Sequence, residues 1–203
     1  KYWEISIKKN MDISMGETLA LYEKLLVSSV KSHLMSDVPV GSYLSGGFDS
    51  ASVAYFASKD VGYRLNTFTG YFNEGDRYDE RRYAREVVHQ INAIQHEVMI
   101  TPKDFIEWIE KVVYHLDEPT IGTGALPHFL VSQRASRHVK VVLTGHGGDE
   151  LFAGYPVYKA AYLRELFKED ILGFIKNIKG IKRDEIPRIL YYALFPFIVP
   201  EVK

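Results

Sequence analysis

Two short glycine-rich segments contain most of the residues in this chain that could do chemistry. The first glycine-rich segment, residues 41–50, reads Gly-Ser-Tyr-Leu-Ser-Gly-Gly-Phe-Asp-Ser. An apolar run (Val38, Val40, Tyr43 and Leu44) ends in its Ser45-Gly46-Gly47, and a helix-like segment, Ser50 to Ser58, follows. Glycines allow turns with positive φ, so successive N–H groups can converge on one hollow. The helix adds its free N–H groups and the positive end of its dipole. With the hydroxyls of Ser45 and Ser50, the pattern predicts a phosphate pocket.

The charge of this segment distinguishes it from the commonest phosphate loop. The Walker sequence places a lysine beside the phosphates, whereas this segment has an aspartate, Asp49. An aspartate suits an anion pocket if it holds Mg²⁺ that itself binds phosphate oxygens. The alternative is an ordinary strand-to-helix turn with a serine N-cap and an acidic first turn. Such a turn needs one glycine rather than this string, which favours the phosphate pocket.

The second glycine-rich segment, residues 143–155, reads Leu-Thr-Gly-His-Gly-Gly-Asp-Glu-Leu-Phe-Ala-Gly-Tyr. A strand runs into a glycine turn, and Asp149 and Glu150 open a helix. Taken alone, two acids in a first turn are usually partners of the helix dipole. Beside the first segment they suggest more: Asp49 and Asp149 on one sheet edge could hold Mg²⁺, whose remaining ligands would be pyrophosphate oxygens and water.

Strand-like and helix-like segments alternate along the chain. Period-2 or continuous apolar runs predict a strand that ends before Ser45 and further strands at Leu65–Phe72, His96–Ile100 and Lys140–Thr144. Helices are predicted at Met15–Met35, Ser50–Ser58, Asp79–Gln90, Thr101–His115 and Leu126–Arg137, and from Pro156 to about Lys203. The order predicts an α/β fold, a parallel sheet flanked by helices on both faces, with a helical C-terminal segment. Ligands bind such sheets beyond the carboxyl ends of the strands, where both glycine-rich segments would lie.

Two of these elements carry more specific expectations. Lys140–Thr144 is a continuous apolar run, which indicates a strand buried on both faces. Met15–Met35 is predicted to be an amphipathic helix whose apolar face consists of Leu19, Tyr22, Leu25, Leu26, Val30 and Leu34.

Composition narrows the class of protein. The 203 residues are 46% hydrophobic and 25% charged, as in a soluble globular domain. Lys+Arg 25 against Asp+Glu 26 leaves a net charge of −1, which argues against nucleic acid or an anionic membrane as a partner. The absence of cysteine excludes disulfides, thiolate zinc sites and a cysteine nucleophile within this chain. Without a signal peptide or transmembrane run, a cytoplasmic enzyme is expected.

The string Ser-Gly-Gly-Phe-Asp-Ser resembles the PP-loop of the N-type ATP pyrophosphatases, which have the adenine nucleotide alpha hydrolase-like fold. Together with the second glycine-rich segment, it resembles the synthetase domain of glutamine-hydrolysing asparagine synthetases. Supporting stretches are Asp37–Gly41, Tyr78–Glu80 with Ala84-Arg85, Asp117–Pro119, Pro127 and Gly154-Tyr155. The resemblance runs from about Tyr2 to Tyr158.

The resemblance implies a ligase that uses ATP and Mg²⁺. A carboxylate, with aspartate favoured, would attack the α-phosphorus to give an acyl-adenylate and pyrophosphate, and ammonia would then displace AMP. The implied ATP and pyrophosphate residues are Leu44, Ser45, Gly46, Gly47, Asp49, Ser50, Gly70, Thr144 and Gly145. The implied metal ligands are Asp49 and Asp149, which with His146 form the implied catalytic set. Thr123 and Glu150 are the implied substrate residues.

Departures from the family pattern keep the substrate open. His146 stands where the family usually has glutamate, and it is interpreted either as a base for an attacking amine or as a hydrogen-bonding residue. Thr123 stands where strict asparagine synthetases have an arginine for aspartate. The alternatives are therefore a relative that acts on another carboxylate, as β-lactam synthetases and lasso-peptide cyclases do, or a non-catalytic ATP-binding module.

The family's organisation suggests that further parts lie outside this chain. Residues 1–14 are expected to be a linker from a glutaminase domain that would supply ammonia. Residues 15–203 are expected to form the synthetase domain, truncated before the family's catalytic lysine. A homo-oligomer is compatible with the sequence.

Overall fold

The computed structural model describes residues 4, 12–75, 79–118, 122, 124–183 and 185–198. Within these residues, no helix is both long and apolar enough to cross a membrane. The chain divides into two compact units, Lys1–Gly145 and His146–Lys203, which are described separately.

The first unit is built on a sheet whose described strands are all parallel. The strands are β1 (Val40–Tyr43), β2 (Asn66–Phe72), β3 (Ile94–Ile100) and β4 (Val141–Leu143), in the spatial order β3-β2-β1-β4. In register, Ser42 pairs with Thr67 on one side and with Leu143 on the other. The predicted fold class is confirmed.

Helices cover both faces of this sheet. They are α1 (Met15–His33), α2 (Phe48–Asp60), α3 (Arg81–Gln90), α4 (Pro102–Leu116) and α5 (Ala125–Ala135). One core joins α1, α2 and α3 to the sheet through Val30, Ala54, Ala84, Val40 and Leu44. On the opposite face, Phe68 packs against Val131 and Ala135 of α5, and Val112 of α4 packs with Leu126 and Leu130. Strand residues alternate between these two cores because successive side chains point to opposite faces.

The predicted burial of β4 on both faces was wrong. Within the described residues β4 lies at the edge of the sheet, so Val141 is 38% exposed and only Leu143 is buried. Its apolar run is therefore not covered on both faces. In α1, Leu26 and Val30 pack against the core together with Leu34 at the C-cap, whereas Leu19, Tyr22 and Leu25 are exposed.

The second unit is helical. It contains α6 (Gly148–Phe152), α7 (Pro156–Glu169), α8 (Ile171–Ile178) and α9 (Ile186–Ile198). Ala160 and Leu163 of α7 are buried with Ile189 of α9, and Phe174 of α8 packs against them. Lys159 forms an ion pair of 2.8 Å with Glu185. The predicted helical C-terminal segment is confirmed.

A histidine pair lies on the α5 side of the sheet in the first unit. The rings of His96 and His138 have centroids 3.9 Å apart, and His96 stacks on Phe68 at 5.0 Å. His96 Nε2 also lies 2.9 Å from Asn66 Oδ1. Burial, followed by the nearby His138 and Arg134, lowers the pKa of His96 below its ordinary value of 6.5. The folded chain thus resists protonation at this position.

This lowered pKa predicts acid sensitivity. The unfolded chain binds a proton at His96 at higher pH than the folded chain, so the free energy of unfolding is fully retained above about pH 6.5. It decreases as the pH falls from there through the folded pKa. We expect urea titrations to show a shallower decrease in His138→Asn, because one source of repulsion is removed. Measurement at pH 8 corrects for lost ring contact, and identical pH profiles for variant and wild type would contradict the prediction.

Candidate nucleotide-binding site

The loop at residues 44–50 comprises the connection that follows β1 and the first three residues of α2. Leu44 is fully buried, and its N–H donates to the carbonyl of Phe68 at 2.9 Å. The N-cap of α2 is Gly47, and the helix begins at Phe48, two residues earlier than predicted. Asp49 therefore lies in the first turn and is half-buried. No side chain caps this helix by a hydrogen bond, which argues against the alternative of an ordinary serine-capped turn.

The two serine hydroxyls of the loop bond to each other and to its backbone. The Ser50 hydroxyl donates to the carbonyl of Gly47 at 3.1 Å and accepts from the Ser45 N–H at 3.2 Å. The Ser45 and Ser50 hydroxyl oxygens also lie 3.0 Å apart, and either hydroxyl can be the donor of this bond. Ser45 Oγ also accepts from the Gly47 N–H at 3.2 Å. These bonds are at the long end of the normal range, so an anion could replace them at small cost.

Gly46 is required by a close approach of α3. Its φ is +92°, and a Cβ there would lie 2.7 Å from the carbonyl oxygen of Glu80 and 3.4 Å from the amide nitrogen of Ala84. Any other residue would face both an unfavourable backbone conformation and a backbone clash. The segment that starts α3 thus forms one wall of the loop.

Gly145 makes a second close approach from β4. A Cβ at Gly145 would lie 2.6 Å from the amide nitrogen of Ser50 and 2.8 Å from the carbonyl carbon of Asp49. The residues that follow β4 therefore abut the first turn of α2. This contact confirms that the end of β4 meets the first glycine-rich segment, as the parallel topology predicts.

The position of this contact in the sheet is the one at which α/β proteins bind ligands. From β1 the chain proceeds through β2 to β3 with α2 and α3 on one face, then crosses by α4 and α5 on the other face to reach β4. The direction of winding reverses between β1 and β4. The crevice beyond the strand ends at such a reversal is the usual binding position.

A charged network beside the loop was not predicted from the sequence as a functional group. Arg81 donates to both oxygens of Asp79, with Nη2 2.6 Å from Oδ2, and its guanidinium lies 3.7 Å from the centroid of the Tyr71 ring. Arg85 forms a two-contact pair with Glu97 at 2.7 and 2.8 Å. Hydrogen bonds from Arg81 lower the pKa of Asp79 to about 2. Tyr78–Glu80 was noted only as a family resemblance, and Tyr78 lies outside the described residues.

The structure places Asp149 and Glu150 in α6, in the second unit. Gly147 caps this helix with φ +95°, and both acids are exposed. The Gly154 N–H donates to the Asp149 carbonyl at 2.9 Å, and a Cβ at Gly154 would overlap the Asp149 carboxylate. Tyr155 donates its hydroxyl to Glu150 Oε1 at 2.8 Å, which lowers the pKa of Glu150. Glu150, an expected substrate residue, is thus already hydrogen-bonded.

The remaining predicted site residues differ in how far the structure describes them. Gly70 is exposed near the end of β2, and a Cβ there would meet Val131 and Ile100 at 2.9 and 3.0 Å, so packing by itself accounts for a glycine. Thr144 is half-buried and His146 is exposed. Thr123 lies outside the described residues. Among the described residues, no cluster of three or more histidine or acidic side chains could hold a metal ion.

Comparison with known proteins identifies the family. A family model described as Asparagine synthase matches residues 21–193. This chain belongs to the asparagine synthase family. Asparagine synthetase [glutamine-hydrolyzing] 1 of Bacillus subtilis is 37% identical over 135 residues, which cover 66% of this chain. A putative asparagine synthetase 2 of Methanocaldococcus jannaschii is 36% identical over 189 residues, which cover 90% of this chain. The match covers 21% and 36% of those two relatives.

Solved structures give weaker similarities. An NH3-dependent NAD synthetase from Campylobacter jejuni, in complex with nitrate, has a TM-score of 0.47 at 12% identity, covering 91% of this chain and 98% of that one. NMN synthetase from Francisella tularensis has a TM-score of 0.45 at 20% identity, covering 64% and 54%.

The close contact at Gly145 yields a test. In Gly145→Ala the added methyl group must displace the backbone of Asp49 and Ser50, so we expect a loss of about 1–3 kcal/mol in the free energy of unfolding. Gly62→Ala is the matched control, because nothing lies within 4 Å of a Cβ at Gly62. Denaturant titration measures both variants. Equal effects of the two substitutions would show that residue 145 is not in contact with the loop.

Proposed function

We propose that this chain forms the ATP-cleaving part of an asparagine synthase family ligase that makes an amide through an acyl-adenylate. The observation that carries the proposal is the loop at residues 44–50. Its backbone leads into the free N–H groups of α2, it lies at the winding reversal between β1 and β4, and Gly145 closes against it. A helix N-terminus preceded by glycines is a general anion site.

The residues in the loop suit the pyrophosphate part of ATP. Ser45, Gly46, Gly47 and Ser50 would supply hydroxyl and backbone donors, and the backbone of Leu44, Gly70, Thr144 and Gly145 would line the adenosine part. Because the Ser45 and Ser50 hydroxyls already bond to each other, the loop is ordered before ATP arrives. Such ordering reduces the entropic cost of binding.

The oxygen ligands that the protein offers at this site suit Mg²⁺ better than a metal whose ligands all come from the protein. Mg²⁺ keeps several waters and needs only one or two protein carboxylates beside phosphate oxygens. Asp49, half-buried in the first turn of α2, is the proposed ligand in the first unit. Asp149 is proposed as the second ligand on sequence grounds. The ion would neutralise charge on the departing pyrophosphate.

The proposed chemistry activates a carboxylate for attack by an amine, because one of its oxygens becomes part of the AMP leaving group. A carboxylate oxygen attacks the α-phosphorus of ATP, the bond from that phosphorus to the bridging oxygen breaks, and pyrophosphate leaves. An amine nitrogen then attacks the acyl carbon, AMP leaves, and the nitrogen loses a proton. His146, which is exposed, is proposed as the group that accepts this proton. Positioning and charge neutralisation account for most of the acceleration.

We favour aspartate as the acid and ammonia as the amine, because the curated relatives are named asparagine synthetases. Pyrophosphate release tests this. The purified protein is given ATP, Mg²⁺ and aspartate with ammonium or glutamine, and pyrophosphate and AMP are measured. We expect both to form in equal amounts with asparagine. Pyrophosphate release only with another carboxylate would identify that acid, rather than aspartate, as the substrate. ATP binding without pyrophosphate release, whichever carboxylate is added, would indicate a binding module.

Asp49 provides the sharpest substitution test. Asp49→Asn keeps the size of the side chain but removes the negative charge proposed to hold Mg²⁺. We expect pyrophosphate release to fall at least about 10–100-fold, the range caused by removing support from a metal ligand, and the Mg²⁺ concentration needed for half activity to rise. Asp60→Asn, at the other end of α2 where Asp60 pairs with Lys31, is the matched control. An unchanged Mg²⁺ requirement in Asp49→Asn would rule out its role as a ligand.

A further inference from the structure

A buried threonine ties the start of the loop at residues 44–50 to the neighbouring strand. Thr69 in β2 is 1% exposed, and its hydroxyl donates to the carbonyl oxygen of Leu44 at 2.7 Å. Gln95 of β3 donates in turn to the Thr69 hydroxyl through Nε2 at 3.4 Å. Both ends of the shorter bond are buried, so water does not replace it readily.

This hydrogen bond controls the first peptide of the loop. The peptide unit that joins Leu44 to Ser45 is planar and trans, so its C=O and N–H point in opposite directions. The C=O is fixed by Thr69. The N–H therefore points to the opposite side, where it donates to Ser50 Oγ. The position of the Thr69 hydroxyl is thus transmitted through one rigid unit to the hydroxyls in the loop.

The hydrogen bond donated by the Leu44 N–H determines which of the two neighbouring peptides can rotate. The Leu44 N–H donates to Phe68 within the parallel ladder, so the preceding peptide is already fixed. Rotation remains available only to the peptide that follows. A buried carbonyl that loses its donor destabilises the structure unless it finds another partner, and rotation of this peptide is the route to one. Such rotation would turn the Ser45 N–H away from Ser50.

We infer that Thr69 is a positioning residue for the nucleotide loop: through the Leu44 carbonyl, its hydroxyl sets the direction of the Ser45 N–H and the contact between Ser45 and Ser50. Because Thr69 is buried, its role would be exerted through Leu44 rather than by contact with phosphate or metal. It acts by keeping the loop ordered before ATP binds. The inference rests on the proposed binding of ATP at residues 44–50.

The same strand offers a matched control. Thr67 is also fully buried in β2, two residues earlier on the same face, and its hydroxyl donates to a backbone carbonyl, that of Ile94, at 3.3 Å. That bond leads to β3 rather than to the loop. Replacing Thr67 or Thr69 by valine keeps the shape and removes one buried hydroxyl in each case. Effects on general stability should be shared by the two variants, whereas effects on the loop should appear only at Thr69.

The experiment compares Thr69→Val, Thr69→Ser and Thr67→Val with the wild type. We expect Thr69→Val to raise the KM for ATP, and the Kd for Mg-ATP measured by calorimetry, by roughly tenfold, about the value of one buried hydrogen bond. Thr69→Ser keeps the hydroxyl and should return both to within about twofold. Thr67→Val should stay within about twofold even if its Tm falls. Without ATP, hydrogen exchange over residues 44–51 should accelerate in Thr69→Val alone.

Each alternative result has a distinct meaning. Equal rises in KM for the two valine variants, or no rescue by serine, would overturn the positioning role and leave a structural one. Wild-type affinity in Thr69→Val would overturn it as well, with the proposed function intact. If the wild type itself fails to bind Mg-ATP, the proposed function fails, and the role of Thr69 in ATP binding fails with it.

Discussion

The close approach of neighbouring backbones to residues 44–50 is the constraint on which the site depends. Gly46 lies against the carbonyl of Glu80, and Gly145 lies against the first turn of α2. At both positions the neighbouring backbone leaves no room for a side chain, because a Cβ would lie 2.7 Å from the Glu80 oxygen or 2.6 Å from the Ser50 nitrogen. They bring three connections of the sheet together at one point: the loop after β1, the start of α3 and the end of β4. The loop is therefore supported from outside as well as by its own hydrogen bonds.

Polar groups buried in the sheet continue this support. Ser42, Thr67 and Thr69 are almost inaccessible, although most of the surrounding core is apolar. A buried hydroxyl is tolerated when it has a partner, and Thr69 has one in the Leu44 carbonyl. Its bond lies at the boundary between the regular ladder and the loop. In a purely apolar core, no side chain would fix the orientation of the peptide between Leu44 and Ser45.

The charged residues near the site divide into two groups with different physical roles. Asp79, Arg81, Arg85 and Glu97 pair with one another beside the loop, and the pKa of Asp79 is lowered accordingly. The charges of these four residues compensate one another, so we assign them a structural role at the α3 side of the loop. Asp49 is half-buried in the first turn of α2, where the helix dipole favours a negative charge. This position is the reason that we propose Asp49 as a ligand for Mg²⁺.

Sequence patterns predicted the elements well and their surroundings less well. Alternating strands and helices gave the parallel sheet with helices on both faces, because period and glycine placement are local properties. The apolar run at Lys140–Thr144 was read as a strand covered on both faces, but β4 lies at the edge of the described sheet. The exposed apolar half of α1 was likewise not predicted. Burial depends on which element packs where, and no local pattern contains that information.

The sequence by itself determined the glycines and the acid of the loop and the family of the chain, because each follows from residue identity and spacing. The tertiary structure decided why two of those glycines are needed. Gly46 meets Glu80 and Gly145 meets Ser50, and these residues are distant in the chain. The tertiary structure also revealed the contact of Thr69 with the loop, which no sequence motif indicated. Its function is a hydrogen bond to a residue 25 positions away, and such a bond exists only after the strands have paired.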